Sequence, residues 1–166
     1  MAKKISFYIV LNLVNSFLKG HHFFRLKNIF LKFIGLDIGE NSKIVGPINI
    51  SYVNKVVIGK NTWIGKNFTI DGNGSVVIGD NCDIAPNLII NTGGHEIGDV
   101  ERRAGKGLVN HTTINNGTWI GTNVVIVNGA EIAQSAVVAA GSVVINNVKK
   151  NTLVAGVPAV TKRILS

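Results

Sequence analysis

From Ile38 onward an aliphatic residue recurs every six positions: Ile38, Ile44 and Ile50, then Ile58, Ile64 and Ile70, then Ile78, Ile84 and Ile90. The series resumes with Ile114, Ile120 and Ile126 and closes with Ile132, Val138 and Val144. A six-residue period fits neither an amphipathic helix nor the alternation of an ordinary strand. It predicts a β-solenoid whose units are short strands, each with its aliphatic side chain turned inward. Three residues after most of these aliphatics stands Asn or Gly, as at Asn41, Asn61, Asn67, Asn73, Asn81, Asn87, Gly117, Asn123, Gly129, Gly141 and Asn147. Both residue types accept a left-handed backbone at little cost, so each unit is expected to end in a sharp turn. Pro47 and Val53 break this rule, and both fall in the first coil.

The breaks in the period define the winding. Two extra residues separate Ile50 from Ile58, two more separate Ile70 from Ile78, and a long insertion separates Ile90 from Ile114. All three breaks follow a third unit. Three units therefore make one turn of a triangular prism, and insertions leave from one corner. The expected body is about five coils over residues 38–148, with a protruding loop at 91–113.

Residues 1–37 lack the hexad and are expected to be helical. Ile5, Tyr8, Ile9, Val14 and Phe17 make the first segment almost apolar all round, while a second, His22 to Ile34, sets Phe23, Leu26, Phe30 and Phe33 against Arg25, Lys27 and Lys32. One reading is a cap on the first coil or a packing surface within an oligomer, since an open solenoid end must be covered. The other is a basic amphipathic surface, residues 1–34, touching anionic lipid. Lys3, Lys4 and the apolar run after them look superficially like a signal peptide. No small-x-small cleavage site follows, and the run between Lys4 and Lys19 is too short to span a bilayer. A cytoplasmic protein is expected, with peripheral attachment at the inner face of the membrane as the second reading.

Composition narrows the chemistry. The 166 residues suit one domain. A single cysteine, Cys82, excludes an internal disulfide and a multi-thiolate metal site, and it is expected to pack as a small apolar side chain. The net charge of +8 sits at the two ends. Lys3, Lys4, Lys19, Arg25, Lys27 and Lys32 face only Asp37 in the first 37 residues, and Lys149, Lys150, Lys162 and Arg163 stand in a basic tail at 149–166. Residues 38–113 are neutral overall. Two basic ends around a neutral middle suggest two anionic partners and not one nucleic-acid groove, and no nucleic-acid-binding motif is present. Among the histidines, His21 and His22 fall in the helical segment and are expected to be structural. His95 opens the long insertion, where a rigid scaffold can present a catalytic group. His111, near the end of that insertion, is its fallback.

The units Ile58-Gly59-Lys60-Asn61, Ile64-Gly65-Lys66-Asn67, Ile78-Gly79-Asp80-Asn81 and Ile120-Gly121-Thr122-Asn123 resemble the hexapeptide-repeat acyltransferases, over about residues 35–164. That resemblance, and not the period, implies a left-handed parallel β-helix and a homotrimer. The run from Phe24-Arg25-Leu26 through Ile34-Gly35-Leu36-Asp37-Ile38-Gly39 is similar to the N-terminal part of colanic-acid-type acetyltransferases. Sugar and xenobiotic acetyltransferases of this fold carry a His at the start of the loop, an Arg seven residues on and a Trp ending a later hexad. His95, Arg102 and Trp119 match them, which implies His95 as general base and Arg102 and Trp119 on the substrate side. The closing run Gly156-Val157-Pro158-Ala159 through Arg163 resembles the family's C-terminal motif. Acetyl-CoA is then the implied donor, with Thr122 and Ala140 lining its groove and Arg163 on the phosphate side, assisted by Lys162.

Departures limit what carries over. Ile145-Asn146-Asn147 replaces the family's usual Thr-Lys-Asp, so Lys149 or Lys150 is the substitute cation, and Val160 replaces a second arginine. Asn73 stands where some sugar-specific members carry Asp, with Asp71 nearby as an alternative partner for a sugar hydroxyl. Glu96, Asp99 and Glu101 are candidates to orient His95.

The expected activity is O-acetylation of a sugar in a bacterial surface-glycan pathway, by direct attack without a covalent enzyme intermediate and without a metal. A glycan polymer, a lipid-linked oligosaccharide and a nucleotide sugar all stay open as acceptors. The rival enzyme reading is a xenobiotic O-acetyltransferase. A zinc carbonic anhydrase on this fold needs three histidines, and only His95 and His111 fall on or near the coils. A structural solenoid predicts a flat face of repeated Thr and no long loop.

Overall fold

The structure, a computed structural model, describes residues 2–51 and 55–166, so Val53 lies outside the described residues. Two helices, α1 (Ala2–Phe17) and α2 (Phe24–Phe33), precede a parallel solenoid of about six turns. The first coil holds β1 (Asp37–Ile38), β2 (Lys43–Ile44) and β3 (Ile48–Ile50). The second holds β4 (Lys55–Ile58), β5 (Trp63–Ile64) and β6 (Phe68–Asp71), and the third β7 (Ser75–Ile78), β8 (Asp83–Ile84) and β9 (Ile89–Asn91). A hairpin of β10 (Gly93–Ile97) and β11 (Ala104–Val109) interrupts the winding. The fourth coil holds β12 (Thr112–Ile114), β13 (Trp119–Ile120) and β14 (Val125–Ile126), and the fifth β15 (Glu131–Ile132), β16 (Val137–Val138) and β17 (Val143–Val144). A sixth, incomplete coil is made by a bridge at Val148 and by β18 (Thr152–Ala155), against which β19 (Val160–Ile164) folds back antiparallel. The basic tail is thus partly strand, because Val148, Thr152 and Val154 continue the inward positions.

Three faces result. The first face stacks β1, β4, β7, β12 and β15; the second stacks β2, β5, β8, β13, β16 and β18; the third stacks β3, β6, β9, β14 and β17. The hexad aliphatics lie directly over one another, Ile38 over Ile58, Ile78, Ile114 and Ile132 on the first face. Every aliphatic of the series is buried, and each such side chain contributes roughly 1.5–3 kcal/mol. The connections after β6 and β9 leave from the edge between the third and first faces, where β3 also ends, as the breaks in the period predict.

Asparagine makes the corners twice over. Asn41, Asn61, Asn67, Asn81, Asn87 and Asn123 take left-handed backbone with φ between 53° and 65°. Their amides then stack into ladders: Asn67 donates to Asn87 at 2.8 Å, and Asn87 to Asn123 at 2.7 Å. Asn73 and Asn147 differ from expectation. Gly72 takes the left-handed position in its corner, and Asn147 instead accepts the Glu131 N–H through its side chain at 2.8 Å. Cys82 is buried in the wall of the prism, where desolvation raises its thiol pKa.

The two helices cover the open end of the first coil. Phe7, Leu11, Val14 and Leu31 join the core. The upper backbone edge of the coil is satisfied by side chains: the Asn15 amide exchanges two hydrogen bonds with Ile48, at 2.7 and 2.8 Å, and Asn28 donates to the Ser42 carbonyl at 2.8 Å. Lys27 does the same for the Ile44 carbonyl (2.7 Å) and also donates to the Gly20 carbonyl between the two helices (3.1 Å), with its ammonium 5.2 Å from the Phe24 ring centre. This corrects the expected amphipathic pattern. Lys27 is not on the basic outer surface but fully buried, at 0% exposure, because unpaired edge carbonyls need donors that no further coil provides.

Desolvation lowers the Lys27 pKa from 10.5 to about 8. Between these values the unfolded chain binds more protons than the folded one, so the Lys27 contribution makes stability rise with pH across that window. The melting temperature of the wild type relative to Lys27→Met is expected to climb from about pH 8 to pH 10.5. A difference that does not change with pH contradicts a buried ammonium at this position.

Candidate active site

His95 lies in the β10–β11 hairpin, which projects from the edge between the third and first faces. The insertion is therefore not an open loop: it is a two-stranded ribbon with a register shift between His95 and Ile97. Its tip is closed by Asp99, whose carboxylate accepts the backbone N–H of Glu101 (3.1 Å) and of Arg102 (3.0 Å). Its base is pinned by Thr92, which sequence reasoning missed. The buried Thr92 hydroxyl donates to the Asp71 carbonyl at 2.7 Å and accepts the Gly74 N–H at 3.1 Å. A threonine just after a third hexad unit, before a glycine pair, was the only available signal.

The two insertion histidines hold opposite tautomers. His95 Nδ1 lies 2.9 Å from the Gly105 carbonyl oxygen. A carbonyl can only accept, so Nδ1 carries the proton and Nε2 of this exposed ring keeps its lone pair. A backbone carbonyl across the hairpin thus makes the orienting contact on Nδ1 that Glu96, Asp99 and Glu101 were candidates to make. His111 Nδ1 accepts the Ser75 N–H at 3.2 Å and lies 2.8 Å from the Ser75 hydroxyl. Its ring fastens the far end of the insertion to the third coil.

Around this edge the structure gathers the acceptor-side residues. Asp71 pairs with Asn91 in register, and its carboxylate receives the Ser51 hydroxyl in a short hydrogen bond. Asn73 lies in the same corner and is exposed. A groove of about 300 Å³ runs from Asp71 along the third face to α1, adding Tyr8, Asn12, Asn49, Ser51 and Thr69, none of which the repeat pattern marks. A larger groove of about 1250 Å³ lies between α2 and the first–second edge, lined in part by Phe24, Lys43 and Trp63, and contains no expected site residue. There His21 stacks on Trp63, with ring centres 5.8 Å apart.

The donor-side residues sit elsewhere. Thr122 and Ala140 share the edge between the second and third faces, where the Thr122 hydroxyl donates to the Pro86 carbonyl at 2.9 Å. Coils approach so closely here that a Cβ on Gly121 would fall 2.5 Å from the Ala140 nitrogen. Trp119 points outward from the second face between Asp83 and Val137, 58% exposed. Lys162 and Arg163 extend on β19, Arg163 opposite Leu153. Lys149 falls on the first–second edge instead, because it precedes β18, so it does not join Thr122 and Ala140. Within one chain, then, the imidazole and the expected donor groove occupy the two edges that flank the third face.

Among the described residues, no three His, Cys, Asp or Glu side chains come together as a metal site, and no helix is long and apolar enough to cross a membrane.

A neutral His95 with its proton on Nδ1 and a neutral His111 with its proton on Nε2 are expected in ¹⁵N-histidine NMR spectra. Identical tautomers at the two positions contradict the geometry.

No protein-family model matches the chain. It is 38% identical over 121 residues to galactoside O-acetyltransferase of Escherichia coli, a match that spans 73% of this chain but only 60% of that relative. A solved galactoside acetyltransferase in complex with coenzyme A is 31% identical, with a TM-score of 0.86, and the superposition covers 99% of this chain and 82% of that one. A hexapeptide-repeat acetyltransferase from Vibrio cholerae, solved with acetyl coenzyme A, gives a TM-score of 0.87 at 28% identity, covering 99% and 88%. These neighbours are left-handed β-helices, and superposition at this level fixes the same hand for the winding of this chain. By its repeats, its coils and these likenesses, the chain belongs to the hexapeptide-repeat acetyltransferase family.

Proposed function

We propose that the protein transfers acetyl from acetyl-CoA to a hydroxyl of a sugar, with His95 as general base, in a site completed between the subunits of a homotrimer. The observation that carries this reading is the 2.9 Å contact from His95 Nδ1 to the Gly105 carbonyl, which leaves Nε2 of this exposed residue as the acceptor. Nε2 takes the proton of the acceptor hydroxyl as its oxygen attacks the thioester carbonyl. The tetrahedral intermediate collapses, the carbon–sulfur bond breaks, and the imidazolium returns the proton to the leaving thiolate. The products are the acetyl ester and free CoA. No nucleophilic side chain is needed, and Cys82, buried with a raised thiol pKa, is unsuited to be one.

Asp71 and Asn73 would hold the acceptor's hydroxyls near His95, with Arg102 and Trp119 supplied around them. Thr122 and Ala140 would line the donor groove, and Lys162 and Arg163 would meet the CoA phosphates. Lys149 lies on another edge, so a direct role for it in the same groove has no support from its position.

The surface supports a subunit-shared site. Thr69, Ile89, Val125 and Val143 form an outward ladder on the third face, in register from coil to coil and mostly apolar. The hairpin also exposes Ile97 (89%) and Val100 (80%). Packing copies around the third face would cover both features and bring one copy's hairpin beside its neighbour's Thr122–Ala140 edge. A sugar in a surface-glycan pathway, met at the cytoplasmic side of the membrane, is the acceptor class we favour. The resemblance of the Phe24–Gly39 run to colanic-acid-type enzymes supports it over a xenobiotic.

The test is thiol release from acetyl-CoA against a panel of free, nucleotide-linked and polymeric sugars. The wild type should turn over at least one of them, and His95→Ala should lose about 10²–10⁴-fold in kcat while keeping its CoA affinity. Equal turnover by both proteins removes His95 from the mechanism.

A further inference from the structure

The helical cap is apolar on its outer side as well as on the side that it buries. In α1 the buried Phe7, Leu11 and Val14 occupy one side, yet the opposite side repeats Ile5, Ile9, Leu13 and Phe17 at four-residue spacing, all exposed. In α2 the side turned to the coil holds Lys27 and Leu31, whereas Leu26, Ile29, Phe30 and Phe33 form the outward stripe. Phe17 and Phe33 are 76% and 77% exposed. Large apolar side chains are thus arranged on two neighbouring helices as they would be on a core-facing surface, but no described residue covers them.

The charges carried by the two helices are all of one sign. Lys19, Arg25 and Lys32 are exposed, and no acidic residue occurs before Asp37. Arg25 and Lys32, seven residues apart and so on the same side of α2, lie along one flank of its apolar stripe. The two helices carry only cations, with Glu40 of the first coil the one carboxylate in the groove that Arg25 and Lys32 also line, so two such faces would bring an excess of like charge together. The face matches an anionic bilayer surface, where aliphatic and Phe side chains enter the acyl boundary and Lys or Arg meets the headgroups. The attachment points of the cap agree with this. Asn15, Lys27 and Asn28 bind the end of the first coil, so the opposite sides of the helices face away from the solenoid.

We infer that the outer face of α1 and α2 is a lipid-binding surface that docks the protein on an anionic membrane by the end of its solenoid. The inference stands on the cap's surface and not on the transfer chemistry, so it is tested without turnover. It also separates the end of the molecule that touches lipid from the hairpin that carries His95.

The experiment is flotation of the full chain with vesicles of phosphatidylglycerol and phosphatidylethanolamine, or of phosphatidylcholine alone. The wild type should float with the anionic vesicles about tenfold or more over the zwitterionic ones. Ile29→Ser, Phe17→Ser and Phe33→Ser combined should abolish flotation while the thermal melt of the solenoid and the subunit number stay unchanged. Arg25→Glu with Lys32→Glu should reduce anionic-vesicle binding by about tenfold or more. A wild type that stays with the soluble fraction in both cases overturns the inference. So does an apolar triple variant that floats as before, or one whose subunit number falls by light scattering, which would assign the face to a second copy.

Discussion

Every strand of the inner coils is held by the coil before it and the coil after it, so the parallel ladder in register is the constraint on which all else rests. A shift of one residue in any coil would turn its aliphatic outward and bring a polar side chain into a core only one side chain deep. The register survives because corners are short and their backbone is left-handed. Asparagine serves there at low steric cost and adds a hydrogen bond to the asparagine below, as from Asn67 through Asn87 to Asn123. The same constraint makes open ends costly. At the N-terminal end the absent coil is replaced by Asn15, Asn28 and Lys27, side-chain donors that stand in for backbone N–H groups. At the other end β19 folds back on β18.

A rigid prism also fixes where chemistry can be placed. Each position in the hexad triplet belongs to one face or edge for the length of the solenoid, so residues assigned to different edges never converge within a chain. His95 and Asp71 belong to the third–first edge, and Thr122 and Ala140 to the second–third edge. The hairpin extends reach without loosening the coil beneath it, because Thr92 and His111 tie its two ends to neighbouring strands. The Gly105 carbonyl then determines which imidazole nitrogen is free. Positioning by a backbone carbonyl suits a site on a projecting ribbon, where a carboxylate partner would itself need support.

Much of this was legible in the sequence because the hexad is a one-dimensional record of the winding. The aliphatic series, the three-unit coil and the single corner for insertions follow from spacing alone. His95 stood out by its place at the one long break. Other features were hidden for physical reasons. A 3.6-residue pattern marks an apolar stripe on α2 but cannot say which side meets the protein, so the burial of Lys27 depended on edge carbonyls visible only in three dimensions. The hairpin was masked by its glycines, Gly93, Gly94, Gly98, Gly105 and Gly107, which weaken any strand signal. Asn73 and Lys149 sit in expected stretches of chain, yet a one-residue difference in corner geometry gives the turn to Gly72, and strand order puts Lys149 on another edge.

The claim that the two flanking edges meet only across subunits is tested most directly by mixing two inactive proteins. His95→Ala lacks the base, and Ala140→Glu blocks the donor groove with bulk and negative charge. Unfolded together in equal amounts and refolded, they should recover about a quarter of wild-type acetyl transfer, since a site is whole when one neighbour brings the hairpin and the other the groove. Activity no greater than that of the two parents separately would mean that base and groove belong to one chain, and would contradict a site shared between subunits.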